Sequence, residues 1–266
     1  MNRISALLKW LTSSLLAIAL LTGVFVIRGD GQATPLPAEI TAVPDATQED
    51  AEPEVEIQNL MFALIDSGQK IVSVTVIRYS LDGERLALVN IDPATLIVPP
   101  GQGFVPISDA GLQGSFDGID KAISGALGIP IDGSIYLQRL AYAGLVDSIG
   151  GITIVSDNLY RVSEDGELPR YVRVGTSLLD GSDAAGYAMR RSKFESTDQF
   201  MARGNQVLRA VFENLQGDQE RVDEIFSSLG SIARSNVPTS SIAKLIIELR
   251  VSNLWPSADI SRLPVN

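Results

Sequence analysis

The sequence predicts an α/β domain, with a central mixed β-sheet flanked by helices, preceded by one transmembrane helix. Three observations support this prediction. Residues 10–27 run for 18 positions without a charge, and residues 29–56 are acidic and rich in proline and alanine. From residue 57 onward, short apolar or β-branched segments alternate with segments whose apolar residues recur every three or four positions. This alternation is typical of strands interleaved with helices.

The uncharged N-terminal segment is long enough to cross a bilayer. A helix of this length reaches ~27 Å, close to the thickness of the hydrocarbon core. Arg3 and Lys9 precede it, whereas the stretch after it carries eight carboxylates up to Glu56. Because positive charge is retained in the cytoplasm, we expect residues 1–9 to be cytoplasmic and residues 10–28 to be a signal-anchor. The predicted localisation is therefore the cell membrane, single-pass, with the bulk of the chain extracytoplasmic.

A cleaved secretory signal is the alternative interpretation of this segment. Residues 31–33 offer small side chains at a cleavage point, so that the mature chain would begin near Thr34. Against it, the apolar run is longer than the core of a typical signal, and Arg28 and Asp30 flank the place of cleavage. Both interpretations export the domain.

The composition excludes several classes of function. The chain has 266 residues, a net charge of −11, no cysteine and no histidine. An acidic chain without a basic cluster is not expected to bind nucleic acid. Thiol chemistry, disulfides and serine–histidine triads are excluded, and a metal would be a hard ion held by oxygen, such as Mg²⁺. Residues 29–56 repel one another and form a linker, which leaves residues 57–266 as one domain.

Periodicity and turn signals predict the elements in chain order. Strands are predicted at residues 59–66, 73–79, 85–91, 134–137 and 152–155, the second and third forming a hairpin around an Asp-Gly turn. Helices are predicted at residues 117–127, 140–149, 180–188, 200–215, 219–234 and 239–250. The tail, residues 255–266, is predicted to be irregular.

Several motifs in this order match one family. Residues 127–157 carry G-I-P-I-D followed by L-V-D-S-I-G-G-I-T-I, and residues 175–193 carry L-L-D-G with Y-A-M-R-R. On these residues, together with 59–67, 86–101 and 198–208, the chain resembles the LytR–CpsA–Psr family, also called the cell-envelope-related transcriptional attenuator domain. The resemblance covers roughly residues 57–250. A transcriptional role has no support, because about nine cytoplasmic residues are too few to read DNA.

The resemblance implies a function and a site. Members of the family are extracytoplasmic, are anchored by one helix, and transfer glycopolymers from polyprenyl-diphosphate carriers to the bacterial cell wall. An apolar slot holds the lipid, arginines hold the diphosphate and aspartates hold Mg²⁺. Carried over by position, the candidate metal ligand is Asp66. The candidate substrate-binding residues are Arg191, Asn205, Gln206 and Tyr187, and the candidate catalytic residues are Arg191, Arg190 and Arg203.

The chain departs from the family pattern at four charged positions. The second aspartate falls on Val74, and the Pro-Arg-Asp triplet falls on residues 92–94, which lack the arginine. Two further arginines fall on Met189 and Met201. The resemblance therefore implies a degenerate active site.

Two neighbouring arginines could replace the missing ones, but local geometry disfavours both. If residues 189–191 are extended, Arg190 points away from Arg191. If Met201 and Arg203 lie on a helix, a separation of two residues turns them by ~200° onto opposite faces. We therefore expect Arg190 and Arg203 at the surface.

The retained residues also have structural interpretations. Asp66 could cap a loop instead of binding a metal, and Arg191 could pair with Glu195 or Asp198 instead of phosphate. Two functions remain open. The first is a non-catalytic or weakened binder of a lipid-linked glycan or cell-wall polymer. The second is a phosphotransferase that moves a glycopolymer to peptidoglycan through a rearranged arginine and Mg²⁺ site. The sequence makes no prediction of oligomeric state.

Overall fold

The structure is a computed structural model that describes residues 56–80, 85–110, 116–216 and 218–263. The predicted cytoplasmic segment, the signal-anchor and nearly all of the predicted linker lie outside the described residues. Within the described ranges, no helix combines the length and the apolar character that crossing a membrane requires.

Strands and helices alternate along the described chain. The strands are β1 (Asn59–Ile65), β2 (Ile71–Tyr79), β3 (Leu86–Ile91), β4 (Leu96–Ile97), β5 (Val105–Pro106), β6 (Gly133–Gln138), β7 (Ile152–Ser156), β8 (Tyr160–Arg161), β9 (Tyr171–Val172), β10 (Gly175–Leu179), β11 (Ala233–Ser235) and β12 (Asp259–Leu263). The helices are α1 (Ile107–Ala110), α2 (Phe116–Leu127), α3 (Arg139–Ser148), α4 (Gly181–Met189), α5 (Thr197–Asn214), α6 (Gln219–Leu229) and α7 (Thr239–Ser252).

A mixed sheet lies at the centre of the domain. Its strand order is β11-β6-β1-β2-β3-β12. Strand β1 is parallel to β6, and β3 is parallel to β12, whereas β1–β2, β2–β3 and β6–β11 are antiparallel. The predicted fold class, a central mixed sheet flanked by helices, is confirmed for this part of the chain. The hairpin of β2 and β3 is confirmed as well, with Tyr79 opposite Leu86.

The two faces of the sheet bury different helices. Leu60, Phe62 and Leu64 of β1 pack in one apolar cluster with helices α3 to α7. The alternate residues of β1 pack in a second cluster with α1 and α2. Because helices cover both faces, every residue of β1 is buried, which explains why its sequence is a continuous apolar run. Each large side chain buried in this way contributes about 1.5–3 kcal/mol.

Two predicted elements are wrong near the C-terminus. The helix predicted for residues 219–234 ends at Leu229, because Gly230 adopts φ 58° and turns the chain. Residues 233–235 then form β11 at the edge of the sheet. The tail predicted to be irregular forms β12, which pairs with β3. In both places, long-range pairing with a strand distant in sequence determines the structure.

Helix α5 begins earlier than its apolar spacing predicts. Ser196 caps it: its hydroxyl accepts a hydrogen bond from the Gln199 backbone N–H, and the Gln199 side chain accepts one from the Ser196 N–H. This capping box is worth about 1 kcal/mol and fixes the first turn at Thr197.

A buried carboxylate joins α2 to the edge of the sheet. Asp120 of α2 is 6% exposed. It accepts hydrogen bonds from the Ser134 hydroxyl at 2.6 Å, the Tyr136 hydroxyl at 2.5 Å and the Asn236 amide at 3.1 Å. Desolvation by burial raises the pKa of Asp120, and the hydrogen bonds from Ser134 and Tyr136 oppose only part of that rise.

The raised pKa of Asp120 predicts a pH dependence of stability. Between the ordinary value of 3.8 and the raised native value, the folded protein holds a proton that the unfolded chain has lost. Protonation therefore favours folding below this window, and the free energy of unfolding falls as pH rises through it. In Asp120→Asn, we expect a flatter profile. Urea unfolding from about pH 4 to pH 7 measures the difference, and parallel profiles for the two proteins would contradict the prediction.

Candidate functional site

The carboxyl ends of two parallel strands form one wall of a cleft. Asp66 directly follows β1 and Arg139 directly follows β6, whose last residues Ile65 and Gln138 are paired. The cleft has a volume of about 310 Å³. Its lining residues are Asp66, Ser67, Arg139, Glu164, Asp165, Met189 and Arg190.

The charges in this cleft pair with one another. Arg139 Nε lies 3.2 Å from Glu164 Oε1, and Arg190 Nη2 lies 2.6 Å from Asp165 Oδ1. The hydrogen bond from Arg190 lowers the pKa of the Asp165 carboxyl below its ordinary value. Three carboxylates and two guanidinium groups line the cleft, so its formal charge is −1. A cleft with a net negative charge does not attract a diphosphate, which is itself an anion.

Asp66 is positioned by a turn and not by other acidic ligands. Its Oδ1 accepts a hydrogen bond of 2.9 Å from the Lys70 backbone N–H. The position of the second family aspartate is Val74, which is 2% exposed in the middle of β2. Across the described ranges, no three acidic side chains gather as metal ligands do. Asp66 has no second acidic ligand beside it among the described residues, which does not fit a resident Mg²⁺, and the predicted Mg²⁺ site gains no support.

Arg203 is buried, which corrects the expectation that it lies at the surface. Its side chain is 5% exposed and that of Glu195 is 2% exposed. Arg203 Nε donates to Glu195 Oε1 at 2.6 Å, and Nη2 donates to Glu195 Oε2 at 2.7 Å. The guanidinium carbon also lies 4.2 Å from the ring centre of Tyr160 and 4.8 Å from that of Tyr187. This bidentate, ring-packed geometry holds Arg203 as a structural cation.

Opposite faces of α5 do not place Met201 inside and Arg203 at the surface, contrary to the sequence prediction. Met201 and Arg203 are both buried, at 6% and 5% exposure. Helix α5 packs against β2, β7, α4 and α7, so more than one of its faces is covered. Two residues on different faces of such a helix are therefore both interior.

Arg190 and Arg191 bond to different acceptors. Arg190 is partly exposed and bonds to Asp165 in the cleft. Both Nε and Nη2 of Arg191 donate to the Glu195 carbonyl oxygen at 3.2 Å. Arg190 is the extended residue after α4, as expected for neighbours that diverge. The structure therefore does not bring Arg190, Arg191 and Arg203 together around one anion.

Tyr187 and Gln206 share a second cavity, of about 310 Å³, which Arg203 also lines. The Tyr187 hydroxyl donates to Gln206 Oε1 at 3.3 Å, and Gln206 Nε2 donates to the Val155 carbonyl at 2.7 Å. Desolvation raises the pKa of Tyr187. Asn205 instead faces the sheet, where its Oδ1 lies 3.4 Å from the Thr75 hydroxyl. Of the two candidates for the family glutamine, Gln206 is the one beside Tyr187.

Sequence reasoning missed Arg139, Glu164 and Asp165. A signal for Arg139 was present, because it follows a predicted strand just as Asp66 does, and parallel strands bring such residues to one edge. The parallel pairing of β1 and β6 was not predicted, so the two residues were not connected. Glu164 and Asp165 lie on the loop between β8 and β9, for which the sequence has no clear signal.

The sequence model of the LytR_cpsA_psr family matches residues 105–257, more than half of the chain. The chain belongs to this family. No curated protein sequence matches it significantly.

Solved structures of this family share the fold of the chain at low sequence identity. TagV of B. subtilis has a TM-score of 0.65 and 18% identity, over 80% of this chain and 86% of that one. The LytR-Csp2A-Psr enzyme from Actinomyces oris has a TM-score of 0.62 and 16% identity, over 80% and 86%. TagT, solved bound to LI-WTA, has a TM-score of 0.60 and 17% identity, over 78% of each chain.

Three positions at which the resemblance implies charged side chains are apolar and buried. Val74, Met189 and Met201 are 2%, 6% and 6% exposed, respectively. Val74 and Met189 belong to the apolar clusters and Met201 is buried on α5, so all three positions contribute to the interior. A buried apolar side chain cannot supply the charge that the family pattern places there.

Proposed function

We propose that this protein is a membrane-anchored, extracytoplasmic member of the LytR–CpsA–Psr family that binds a lipid-linked glycan or cell-wall polymer without transferring it. Residues 10–28 anchor the chain as one transmembrane helix, and residues 29–56 hold the domain off the membrane. The protein acts in the bacterial cell envelope, at the outer face of the cell membrane. Family membership and the shared fold support the proposal, and the charges of the site favour binding over transfer.

One observation carries the proposal: protein acceptors already hold the arginines expected to bind phosphate. Glu195 neutralises Arg203 in the interior, Asp165 pairs with Arg190, and the Glu195 carbonyl accepts both bonds of Arg191. Phosphoryl transfer depends on cations that are positioned to stabilise the negative charge of the transition state. A guanidinium that already pairs with a carboxylate has to break that pair first.

The expected loss of rate is large. Removal of one charge-stabilising donor typically lowers the rate by about 10²–10³. Three arginine positions and one acidic ligand of the family pattern are replaced in this chain. Even with strong non-additivity among such groups, the transfer activity implied by the family pattern falls well below a useful rate.

A related structure supports the class of ligand. TagT, which shares the fold, was solved bound to LI-WTA. A scaffold that holds such a ligand needs apolar surface and shape complementarity in addition to charge. We therefore assign the lipid-linked glycan as ligand, with binding retained after the loss of the charged groups.

A second candidate function is phosphotransfer through a rearranged site. The observation that favours it is the placement of Arg139 and Arg190 in the same cleft as Asp66. Two arginines and one aspartate could replace part of the family set if substrate binding displaced Glu164 and Asp165. This candidate keeps the family reaction and changes only the residues that perform it.

Turnover separates the two functions. We expect full-length protein in lipid nanodiscs to bind a polyprenyl-diphosphate-linked glycan, and to release the polyprenyl carrier with Mg²⁺ and peptidoglycan no faster than empty nanodiscs. Carrier release measured by thin-layer chromatography and binding measured by fluorescence anisotropy are the two readouts. Release abolished by Arg191→Ala would overturn the binding function.

Matched variants test the rearranged site. If Arg139→Ala or Arg190→Ala abolishes release while Arg209→Ala does not, the second candidate replaces the first. Arg209 is a suitable control because it is an exposed arginine in α5 whose partner is Glu213. Binding equal to that of empty nanodiscs would contradict both functions.

A further inference from the structure

A cavity of about 520 Å³ lies beside the edge strand β11. The lining residues that matter here are Phe116, Asp117, Ser134, Tyr136, Arg234 and Asn236. Ser134 is near the start of β6, whereas Arg139 follows its end. At about 3.3 Å per residue, the two positions are roughly 16 Å apart along the strand. The cavity is therefore separate from the cleft of Asp66 and Arg139.

A chain of contacts from the buried Asp120 orders the wall of this cavity. Asp120 accepts bonds from the hydroxyls of Ser134 and Tyr136 and from the Asn236 amide. The Tyr136 ring packs against Phe116 with ring centres 4.1 Å apart. The Arg234 guanidinium lies 5.1 Å from the centre of the Phe116 ring. The polar groups of the wall are thus positioned before any ligand arrives, which reduces the cost of binding.

Two opposite charges line the cavity without neutralising each other. Within the described part of the chain, no ion pair includes Asp117 or Arg234, and the guanidinium of Arg234 contacts the aromatic ring of Phe116. This differs from the cleft at Asp66, where each guanidinium has a carboxylate partner. As far as the described residues go, the cavity therefore offers a ligand a guanidinium donor and a carboxylate acceptor that no ion pair occupies.

The charge pattern selects the class of ligand. Arg234 would attract an anion, but Asp117, with Asp120 behind it, would repel it. The reverse holds for a cation, and an apolar ligand would leave both charged groups without partners. A ring with neighbouring hydroxyls both donates and accepts hydrogen bonds, so it satisfies the carboxylate and the guanidinium together.

We propose that this cavity binds a neutral sugar unit of a glycan chain. A neighbouring cavity of about 290 Å³ shares Arg234 and Ser235 and adds the apolar side chains of Ile135, Phe226 and Val237. A second sugar unit with an N-acetyl group places its methyl group in this neighbouring cavity. The glycan therefore lies across β11. This inference deepens the proposed function, on which it rests for the choice of a glycan, and assigns that function a site.

Binding of a soluble oligosaccharide tests the site. The probe is chitotetraose, a neutral N-acetylated tetrasaccharide, titrated calorimetrically into full-length protein in nanodiscs, which avoid sugar-headed detergents. We expect Arg234→Ala and Asp117→Ala each to weaken binding by about tenfold or more, because each removes hydrogen bonds to a charged group. Arg209→Ala, which also removes an exposed arginine, is expected to change affinity less than about twofold.

Three results would overturn the site. They are no binding of chitotetraose by the wild-type chain, equal binding by Arg234→Ala, and displacement of the sugar by pyrophosphate or by an extended peptide at lower concentration. The probe has neither lipid nor diphosphate, so the proposed function is tested separately. If the protein binds the lipid-linked glycan but does not bind chitotetraose, this site is wrong and the proposed function is unaffected.

Discussion

Replacing Glu195 with alanine is expected to destabilise the protein by about 3–5 kcal/mol, because it leaves the buried Arg203 without its carboxylate. The Arg203 side chain is 5% exposed and donates hydrogen bonds to both carboxylate oxygens of Glu195. The surrounding rings offset part of this loss but cannot neutralise the charge. Urea unfolding monitored by circular dichroism measures the change in the free energy of unfolding.

An exposed pair provides the control for this experiment. Asp165 bonds to Arg190 at the same distance of 2.6 Å, but its side chain is 83% exposed. Asp165→Ala is therefore expected to lower the free energy of unfolding far less than Glu195→Ala does. Similar losses for the two variants would show that Glu195 and Arg203 are hydrated, and Arg203 would again be a candidate phosphate ligand.

Gly186→Ala is the second substitution with a large expected effect. A Cβ at this position of α4 would lie 2.0 Å from the carbonyl oxygen of Val162. That neighbour is backbone and cannot rotate away, so α4 must move from the segment after β8. We expect the free energy of unfolding to fall by about 3 kcal/mol or more, which is at the upper end of the range for overpacked cores. Thermal and urea unfolding measure it.

A second glycine in a helix separates the clash from helix propensity. Gly125 of α2 is exposed, and an added Cβ would have no atom within 4 Å. Gly125→Ala is expected to stabilise the protein by about 0.5–1 kcal/mol, because alanine is a better helix former than glycine. If Gly186→Ala were also stabilising, the close approach of α4 to Val162 would be wrong.

The elements that sequence reasoning predicted well are those with local signals. The apolar run of β1, the Asp-Gly hairpin of β2 and β3, and the helix that ends at Gly150-Gly151 depend on residues adjacent in sequence. Strands β11 and β12 were missed because each is short and has no local pattern. Both form by pairing with strands distant in sequence, which only the tertiary fold places beside them.

In the candidate site, too, the sequence predicted individual residues but not the contacts between them. The match to the family pattern located Asp66, Tyr187, Arg191 and Gln206, and it identified Val74, Met189 and Met201 as departures. It could not show that Arg139 joins Asp66 in one cleft, because this depends on the parallel pairing of β1 and β6. Nor could it show that Glu195 neutralises Arg203, since helical spacing does not reveal which faces of α5 are covered.

By itself, the sequence determined the class of fold and the family, because both are recorded in residue types and their spacing. The loss of charged side chains at positions where the resemblance implies them stays a prediction. Only the tertiary structure decided which of the remaining arginines are free. Arg139, Arg190 and Arg203 pair with acidic side chains, whereas Arg234 contacts an aromatic ring and has no ion pair with any residue that the structure describes. The physical reason is that the effect of a charge depends on its burial and on its nearest partner, and both are set by how the helices and strands pack in the folded domain.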